Sequence, residues 1–215
     1  MSVQSRFSSI VHSSLNKQWL HIFGCGAIGS NVAILLDKMG VTKFSLYDFD
    51  NVEQPNIGIS PFIPRDIGKP KVEMLKEKLD ASAHVDCINE EVKEDTTLEF
   101  NKNSIAILAF DSMKARMLVA EKICEAKIKL LIDGRMGAEL FQMYVIKNPT
   151  IKEYKKVWYS DEEGSEEPCT AKATPWCGTL TGSFISNAVS KIVSGHPCPR
   201  ELFFHFPSMT MDWKT

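Results

Sequence analysis

Three glycines near the N-terminus have the spacing of a phosphate-binding turn. Gly24, Gly26 and Gly29 form a Gly-x-Gly-x-x-Gly pattern directly after an apolar run at 19–23. The first glycine permits a tight strand-to-helix turn, the second admits phosphate oxygens close to the backbone, and the third allows close packing of helix on strand. The helix N-terminus that follows offers free N–H groups and a positive dipole end to an anion. The pattern predicts a nucleotide site.

Two acids at the end of the next predicted strand support this interpretation. Asp48 lies 19 positions after Gly29, and Asp50 follows it closely. An acid at this point of a βαβ unit accepts hydrogen bonds from ribose hydroxyls. Because strand, helix, strand and acid come in this order, the segment is typical of a dinucleotide-binding-like unit.

Alternating strands and helices must position these groups. Strands are predicted at 19–23, 43–48, 84–92, 104–111, 129–133, 139–147 and within 201–213, and helices at 4–18, 28–39, from about Lys69, at 112–126 and at 178–195. This order predicts an α/β fold with a Rossmann-like, doubly wound, mostly parallel sheet. We expect a single domain over 1–215, with a nucleotide-binding core at 20–147, a crossover loop at 148–177, and a C-terminal helix and strand at 178–215.

Composition narrows the classes of function. A formal net charge of −2 provides no electrostatic argument for nucleic acid or membrane surfaces as partners. The sequence contains no apolar run of transmembrane length and no signal-peptide core. The six cysteines are scattered without a Cys-x-x-Cys pair, which favours a reducing compartment and offers no ready zinc site. We therefore expect a cytoplasmic protein.

Further motifs follow the two acids in a characteristic order. The chain reads DFDNVE at 48–53, NIGIS at 56–60, DIGKPK at 66–71 and FDSMKAR at 110–116. Together with the glycines, these motifs resemble those of the superfamily that activates ubiquitin-like proteins. It includes the bacterial ThiF and molybdopterin-synthase adenylyltransferases and the eukaryotic ubiquitin-activating enzymes.

The resemblance implies adenylation of a carboxylate with ATP and Mg²⁺. In this family the C-terminal carboxylate of a small ubiquitin-fold protein attacks the α-phosphorus, and pyrophosphate leaves. Carried over by motif, Asp48 and Asp50 hold the ribose, Asn56 and Lys71 contact phosphates, and Asp111 binds Mg²⁺. These residue types fit the chemistry, because a cation and amides stabilise the charge that moves onto the leaving pyrophosphate.

The sequence departs from the family pattern at one arginine. Relatives carry a phosphate-contacting arginine where this chain has Ile59, which supplies neither charge nor donors. Arg65 and Arg135 are two candidates for the missing charge. Relatives also lend an N-terminal arginine across a dimer, and Arg6 is the candidate for that catalytic role. The resemblance includes Arg116 as well, for which pairing with an acid is the alternative.

A cysteine in the predicted crossover loop raises the question of a second step. The segment EPCTAKATP at 167–175 resembles the thioester segment of ubiquitin-activating enzymes. A thiolate of Cys169 there would attack the acyl adenylate, and Lys172 would help by lowering its pKa. The alternative is that Cys169 is an ordinary loop cysteine. Cys177 is a second candidate, but it opens a helix and is expected to pack in the core. Cys25 lies inside the glycine turn and is expected to pack beneath the phosphates.

The leading hypothesis is a stand-alone activating enzyme for a ubiquitin-like protein. The resemblance implies a homodimer that passes the activated protein to a conjugating partner or a sulfur carrier pathway. One alternative keeps the fold but adenylates a short peptide or small acid. Another is a non-catalytic scaffold subunit that has lost the arginine. A nicotinamide dehydrogenase would leave the motifs at Asn56 and 66–71 without a role.

Overall fold

The structure is a computed structural model that describes residues 6–160, 162 and 173–215. Its strands are β1 (Trp19–Phe23), β2 (Lys43–Tyr47), β3 (His84–Ile88), β4 (Ser104–Leu108), β5 (Leu130–Met136), β6 (Leu140–Lys147), β7 (Glu201–His205) and β8 (Thr210–Lys214). They form one eight-stranded sheet within the described residues, in the order β3-β2-β1-β4-β5-β6-β7-β8. The first five strands of that order pair in parallel, and β6, β7 and β8 continue the sheet antiparallel.

Helices cover both faces of this sheet. They are α1 (Ala27–Lys38), α2 (Lys71–Lys76), α3 (Met113–Glu125), α4 (Ile151–Tyr154) and α5 (Pro175–Val193), and short 3-10 turns lie at Ser13–Lys17, Gln54–Gly58 and Pro64–Asp66. Among the described residues no helix combines the length and apolar character needed to cross a membrane.

Alternate side chains of the parallel strands feed two separate cores. In β4, Ile105 and Ile107 join the core that contains α1, α2 and α5, whereas Ala106 and Leu108 join the core under α3 and α4. Burial on both faces explains why this strand is a continuous apolar run. The predicted α/β class with a doubly wound, mostly parallel sheet is confirmed.

The predicted N-terminal helix is wrong over the described part of 4–18. Only Ser13–Lys17 forms a helical turn, and it is of the 3-10 type. Serine side chains compete for backbone groups and favour turns, and here the His12 ring accepts a hydrogen bond from the Ser14 N–H. Val11 and Leu15, four residues apart, still pack into the core.

The C-terminal region also differs from prediction. The tail forms a hairpin of β7 and β8 instead of one strand, with a turn around Pro207 and Met209 at φ 52°. Proline lacks the N–H that a ladder needs, so the strand ends there. Helix α5 begins at Pro175, three residues earlier than predicted, because proline suits the first position of a helix. Thr150 caps the short helix α4, which lies inside the predicted loop.

Candidate active site

The glycine turn between β1 and α1 is packed at two positions and open at the third. A Cβ on Gly29 would lie 1.8 Å from the Gly24 carbonyl oxygen, and one on Gly24, at φ +96°, would lie 2.7 Å from the Ala109 carbonyl oxygen. A Cβ on Gly26 would meet nothing within 4 Å. Gly26 directly precedes the first residue of α1. The turn therefore presents free space at the N-terminal end of this helix.

Asp48 braces that turn from the end of β2. Its Oδ2 accepts a hydrogen bond of 2.7 Å from the Cys25 N–H, and its Oδ1 accepts one of 2.9 Å from the Asp50 N–H. Burial raises the pKa of the Asp48 carboxyl, and this effect exceeds the opposing effects of Lys71 and of the two N–H donors. The acid predicted to face a ribose is thus also a structural part of the turn.

Lys71 joins the two acids from the start of α2. Its Nζ lies 2.7 Å from the Asp50 Oδ2, and its N–H donates to the Asp50 carbonyl oxygen at 3.0 Å. Burial lowers the pKa of the Lys71 amine, but Asp48, Asp50 and Asp111 together raise it above its ordinary value. Lys71 is therefore a buried, protonated cation among three carboxylates, two from the end of β2 and one from the loop after β4.

Asp111 and Asn56 complete the predicted set. Asp111 is exposed just beyond β4, next to Ser112, which caps α3 by accepting from the Ala115 N–H at 3.2 Å. The Asn56 Oδ1 accepts from the Glu53 N–H at 2.8 Å, which leaves the Asn56 NH₂ group as the part that can donate to a ligand. The negative charge of Asp111 helps to raise the pKa of Lys71. Asn56 lies on the neighbouring 3-10 turn.

The family model settles which proteins this arrangement belongs with. Residues 4–215, nearly the whole chain, match the ThiF family. The chain belongs to the ThiF family. Its sequence is 25% identical over 145 residues to ubiquitin-like modifier-activating enzyme 5 of Arabidopsis thaliana, covering 64% of this chain and 30% of that protein. It is 31% identical over 68 residues to the protein of the same name from Caenorhabditis elegans, covering 32% of this chain and 16% of that protein.

Solved structures show the same ThiF-type fold. E. coli MccB crystallised with MccA-N7isoASN superposes with a TM-score of 0.80 at 15% identity, covering 100% of this chain and 72% of that one. MccB crystallised with ATP superposes with a TM-score of 0.76 at 16% identity, covering 94% of this chain and 64% of that one. PaaA superposes with a TM-score of 0.71 at 19% identity, covering 93% of this chain and 64% of that one. At these identities the likeness concerns the fold, and the chain spans less than a third of the curated relatives it matches.

The arginines of this ThiF-family chain have different surroundings. Arg135 is buried, with Nε and Nη2 on the Asp133 Oδ2 at 3.1 and 2.7 Å and Nη1 on the Val157 carbonyl oxygen at 2.7 Å. Those three bonds hold the buried guanidinium on Asp133 and Val157, and its role as a replacement for the family arginine missing at Ile59 stays a prediction. Arg65 is exposed in the turn Pro64–Asp66, and Arg6 is exposed at the start of the described chain.

The three cysteines considered as nucleophiles or packing residues also differ in their surroundings. Cys169 and Lys172 lie outside the described residues. Cys177 is buried in α5, and burial raises the pKa of its thiol to about 11. Cys25 is fully buried in the glycine turn, where burial and Asp48 hold its pKa well above the ordinary value. Neither Cys25 nor Cys177 has the lowered pKa of a nucleophile.

Magnesium fits the donor set of this site. Among the described residues no group of three or more His, Cys, Asp or Glu side chains has the arrangement of a metal cage. Mg²⁺ in nucleotide sites commonly uses one or two carboxylates and completes its shell with phosphate oxygens and water. An exposed carboxylate on Asp111, close to the cation of Lys71, suits that mode of binding.

Sequence reasoning missed one part of the site, the buried acid Asp133. It binds Arg116 through Oδ1, and Arg135 and Tyr154 through Oδ2. The signal was the sequence Ile-Asp-Gly-Arg at the end of a buried strand, where an acid enclosed by apolar residues requires a cation. Arg116 therefore pairs with an acid, which was the alternative stated for it.

Proposed function

We propose that this chain binds ATP with Mg²⁺ at the glycine turn and transfers AMP to the terminal carboxylate of a protein or peptide. One observation carries the proposal. In a chain of the ThiF family, Asp48 accepts from the Cys25 N–H next to the open position at Gly26, and Lys71 shares the charge environment of Asp48 at this N-terminal end of α1. The likeness of fold to MccB crystallised with ATP supports the same cofactor.

The reaction needs no protein nucleophile in its first step. A carboxylate oxygen of the substrate attacks the α-phosphorus, the bond from that phosphorus to the bridging oxygen breaks, and pyrophosphate leaves with the electron pair. The Lys71 ammonium and the N–H groups at the start of α1 stabilise the charge that develops on the phosphates. Bound Mg²⁺, held by Asp111, would neutralise phosphate charge. Positioning and electrostatics supply most of the rate.

The preferred acceptor is a ubiquitin-like protein. Sequence similarity to ubiquitin-like modifier-activating enzyme 5 in two organisms supports this choice. A short peptide or small acid is the second candidate, which is favoured by likeness of fold over the whole chain to MccB crystallised with MccA-N7isoASN. A scaffold subunit without catalysis stays as the third, because Ile59 lacks the charge of an arginine.

A thioester step on Cys169 would follow adenylation. Its thiolate attacks the acyl carbon of the adenylate, a carbon–sulfur bond forms, the bond to the AMP oxygen breaks, and AMP leaves. The activated protein would then pass to a conjugating partner or a sulfur carrier pathway. We propose a homodimer in which Arg6 of each copy contributes to the other site.

ATP–pyrophosphate exchange tests the first step. Exchange that depends on a ubiquitin-fold protein ending in glycine supports the main proposal, and exchange with a free peptide supports the second candidate. ATP binding without exchange for any acceptor would support the third candidate, a scaffold subunit without catalysis. Lys71→Ala and Asp111→Ala are expected to abolish exchange, and activity that survives both changes would contradict the proposed site.

The thioester is tested separately from adenylation. Wild-type protein incubated with ATP and the acceptor should form an adduct that reductant removes, and Cys169→Ala should lose it while keeping pyrophosphate exchange. Cys177→Ala is the matched control, since that thiol is buried with a raised pKa. An adduct that persists in Cys169→Ala would move the role elsewhere.

A further inference from the structure

Arg116 ties the end of β4 to the neighbouring strand β5 under the loop that carries Asp111. Its guanidinium is buried and donates from Nη1 to the Leu108 carbonyl oxygen at 3.3 Å and from Nη2 to the Gly134 carbonyl oxygen at 3.0 Å. Nη2 also donates to the carbonyl oxygen of Phe110. Leu108 ends β4, Gly134 lies in β5, and Phe110 directly precedes Asp111.

A fixed anion holds this guanidinium in place. The Asp133 Oδ1 forms the ion pair with Arg116, whereas its Oδ2 serves a different set of partners. Oδ2 accepts from Arg135 and, at 3.0 Å, from the Tyr154 hydroxyl of α4. Burial raises the pKa of the Asp133 carboxyl, but the two guanidinium groups lower it further, so the net shift is downward and the group is ionised.

The two sides of Asp133 therefore serve two regions of the fold. On the Oδ1 side, Arg116 holds the carbonyl oxygens of Leu108 and Phe110, and Phe110 immediately precedes Asp111. On the Oδ2 side, Arg135 reaches the Val157 carbonyl oxygen at 2.7 Å and holds the segment that follows α4. Asp111 itself keeps an exposed side chain, and only its backbone neighbours are fastened.

We infer that Arg116 is a positioning residue for the metal-binding carboxylate. By fixing the loop between β4 and α3, it holds Asp111 where that carboxylate faces Lys71 and an ATP-bound Mg²⁺. The inference rests on the proposed function, and it extends the site to a side chain that touches neither metal nor nucleotide. Groups that orient a metal ligand in this way change metal affinity by about 10- to 100-fold when they are mutated.

The test compares the two sides of Asp133. Arg116→Lys keeps the charge but loses the planar fork that reaches several carbonyl oxygens. Tyr154→Phe is the matched control, because it removes one buried hydrogen bond from the same carboxylate on the other side. For each purified protein, ATP affinity is measured by calorimetric titration in excess Mg²⁺ and again in EDTA. The ratio of the two dissociation constants gives the contribution of the metal, and thermal denaturation gives stability.

Arg116→Lys is expected to reduce the metal contribution by about 10- to 100-fold, whereas Tyr154→Phe should lower the melting temperature and leave the ratio unchanged. In an Asp111→Ala background, Arg116→Lys should have no further effect on the ratio. If both single variants change the ratio equally, or neither changes it, the role of Arg116 is structural and the inference is overturned.

Two outcomes need separate treatment. If Arg116→Lys does not melt cooperatively, Arg116→Gln decides, since it removes the charge and the fork of the guanidinium and leaves Asp133 paired with Arg135 and Tyr154. An unchanged ratio in that variant overturns the inference. If the wild-type chain binds no ATP in either buffer, the proposed function fails and the inference fails with it. If the wild type gains affinity from Mg²⁺ and Arg116→Lys gains as much, the inference alone is refuted.

Discussion

Replacing Gly26 with alanine should separate nucleotide binding from folding. The φ of Gly26 is −77°, outside the left-handed region that requires glycine, and its added Cβ would meet no atom within 4 Å. Alanine is a poorer residue than glycine at a helix N-cap, with a stability difference of at most about 1 kcal/mol. For a chain of this size, that loss shifts the melting temperature by about 2–4 °C.

The same methyl group should weaken ATP binding strongly. It occupies the space through which phosphate oxygens would approach the backbone N–H groups of the turn. Losing one hydrogen bond to a charged group costs about 1.5–3 kcal/mol, which corresponds to roughly a 10- to 150-fold rise in the dissociation constant. Calorimetric titration with ATP and Mg²⁺ measures this change, and circular dichroism melting measures stability.

Gly29→Ala provides the contrasting variant. Its Cβ would lie 1.8 Å from the Gly24 carbonyl oxygen, so the backbone must move and the protein should lose its cooperative melting transition. A folded Gly26→Ala protein with wild-type ATP affinity would refute the reasoning, because phosphate would then not approach the turn at this position. Loss of folding in Gly26→Ala would show that the space described at this glycine is wrong.

Two further predictions concern charge. Burial lowers the pKa of His21 to about 4 from 6.5, so the unfolded chain binds the proton first as the pH falls. The free energy of unfolding should therefore fall by about 3 kcal/mol as the pH drops from 6.5 to 4. Urea denaturation at several pH values measures this change, and the His21→Gln variant should lack it. An equal dependence of the unfolding free energy on pH in both proteins would contradict the burial of a neutral ring. Lys71→Met should raise the ATP dissociation constant by roughly 10- to 150-fold, and it should also lower the melting temperature, because the buried Asp48 loses the nearby cation. Lys78→Met is the matched control: it leaves the buried Asp66 without its 2.7 Å cation, so it should destabilise the chain by about 3–5 kcal/mol while any folded fraction keeps its ATP affinity. The opposite pattern for the two lysines would place the phosphate site elsewhere.

The sequence predicted the parts of the fold that depend on strong local patterns. Continuous apolar runs marked β1 and β4, and the glycine spacing marked the start of α1. The prediction of an N-terminal helix was wrong because Ser13 and Ser14 favour a turn, and the spacing of apolar residues alone does not include this preference. The prediction also missed the hairpin after Phe206, because a single proline interrupts a segment that is otherwise apolar like one strand.

The candidate site was predicted in part. Motif order identified Asp48 and Lys71, and the fold brings them together because the loop after β2 folds back on itself: Asn51 and Pro70 form a bridge, and the Lys71 N–H donates to the Asp50 carbonyl oxygen. Burial explains what was missed. The signal of Asp133 in the sequence is a single acid on a buried strand, and the packing of β5 under α3 and α4 shows that it balances Arg116 and Arg135.

The contact between Asp48 and the backbone of the glycine turn has a consequence for experiments. A single carboxylate couples the two ends of the proposed nucleotide site, so a change at this residue would disturb sugar recognition and phosphate recognition at once. Mutagenesis of Asp48 therefore cannot assign it to either. Chemical probes can separate the two, because deoxy-ATP lacks a hydroxyl but keeps its phosphates, and inorganic triphosphate keeps the phosphates alone.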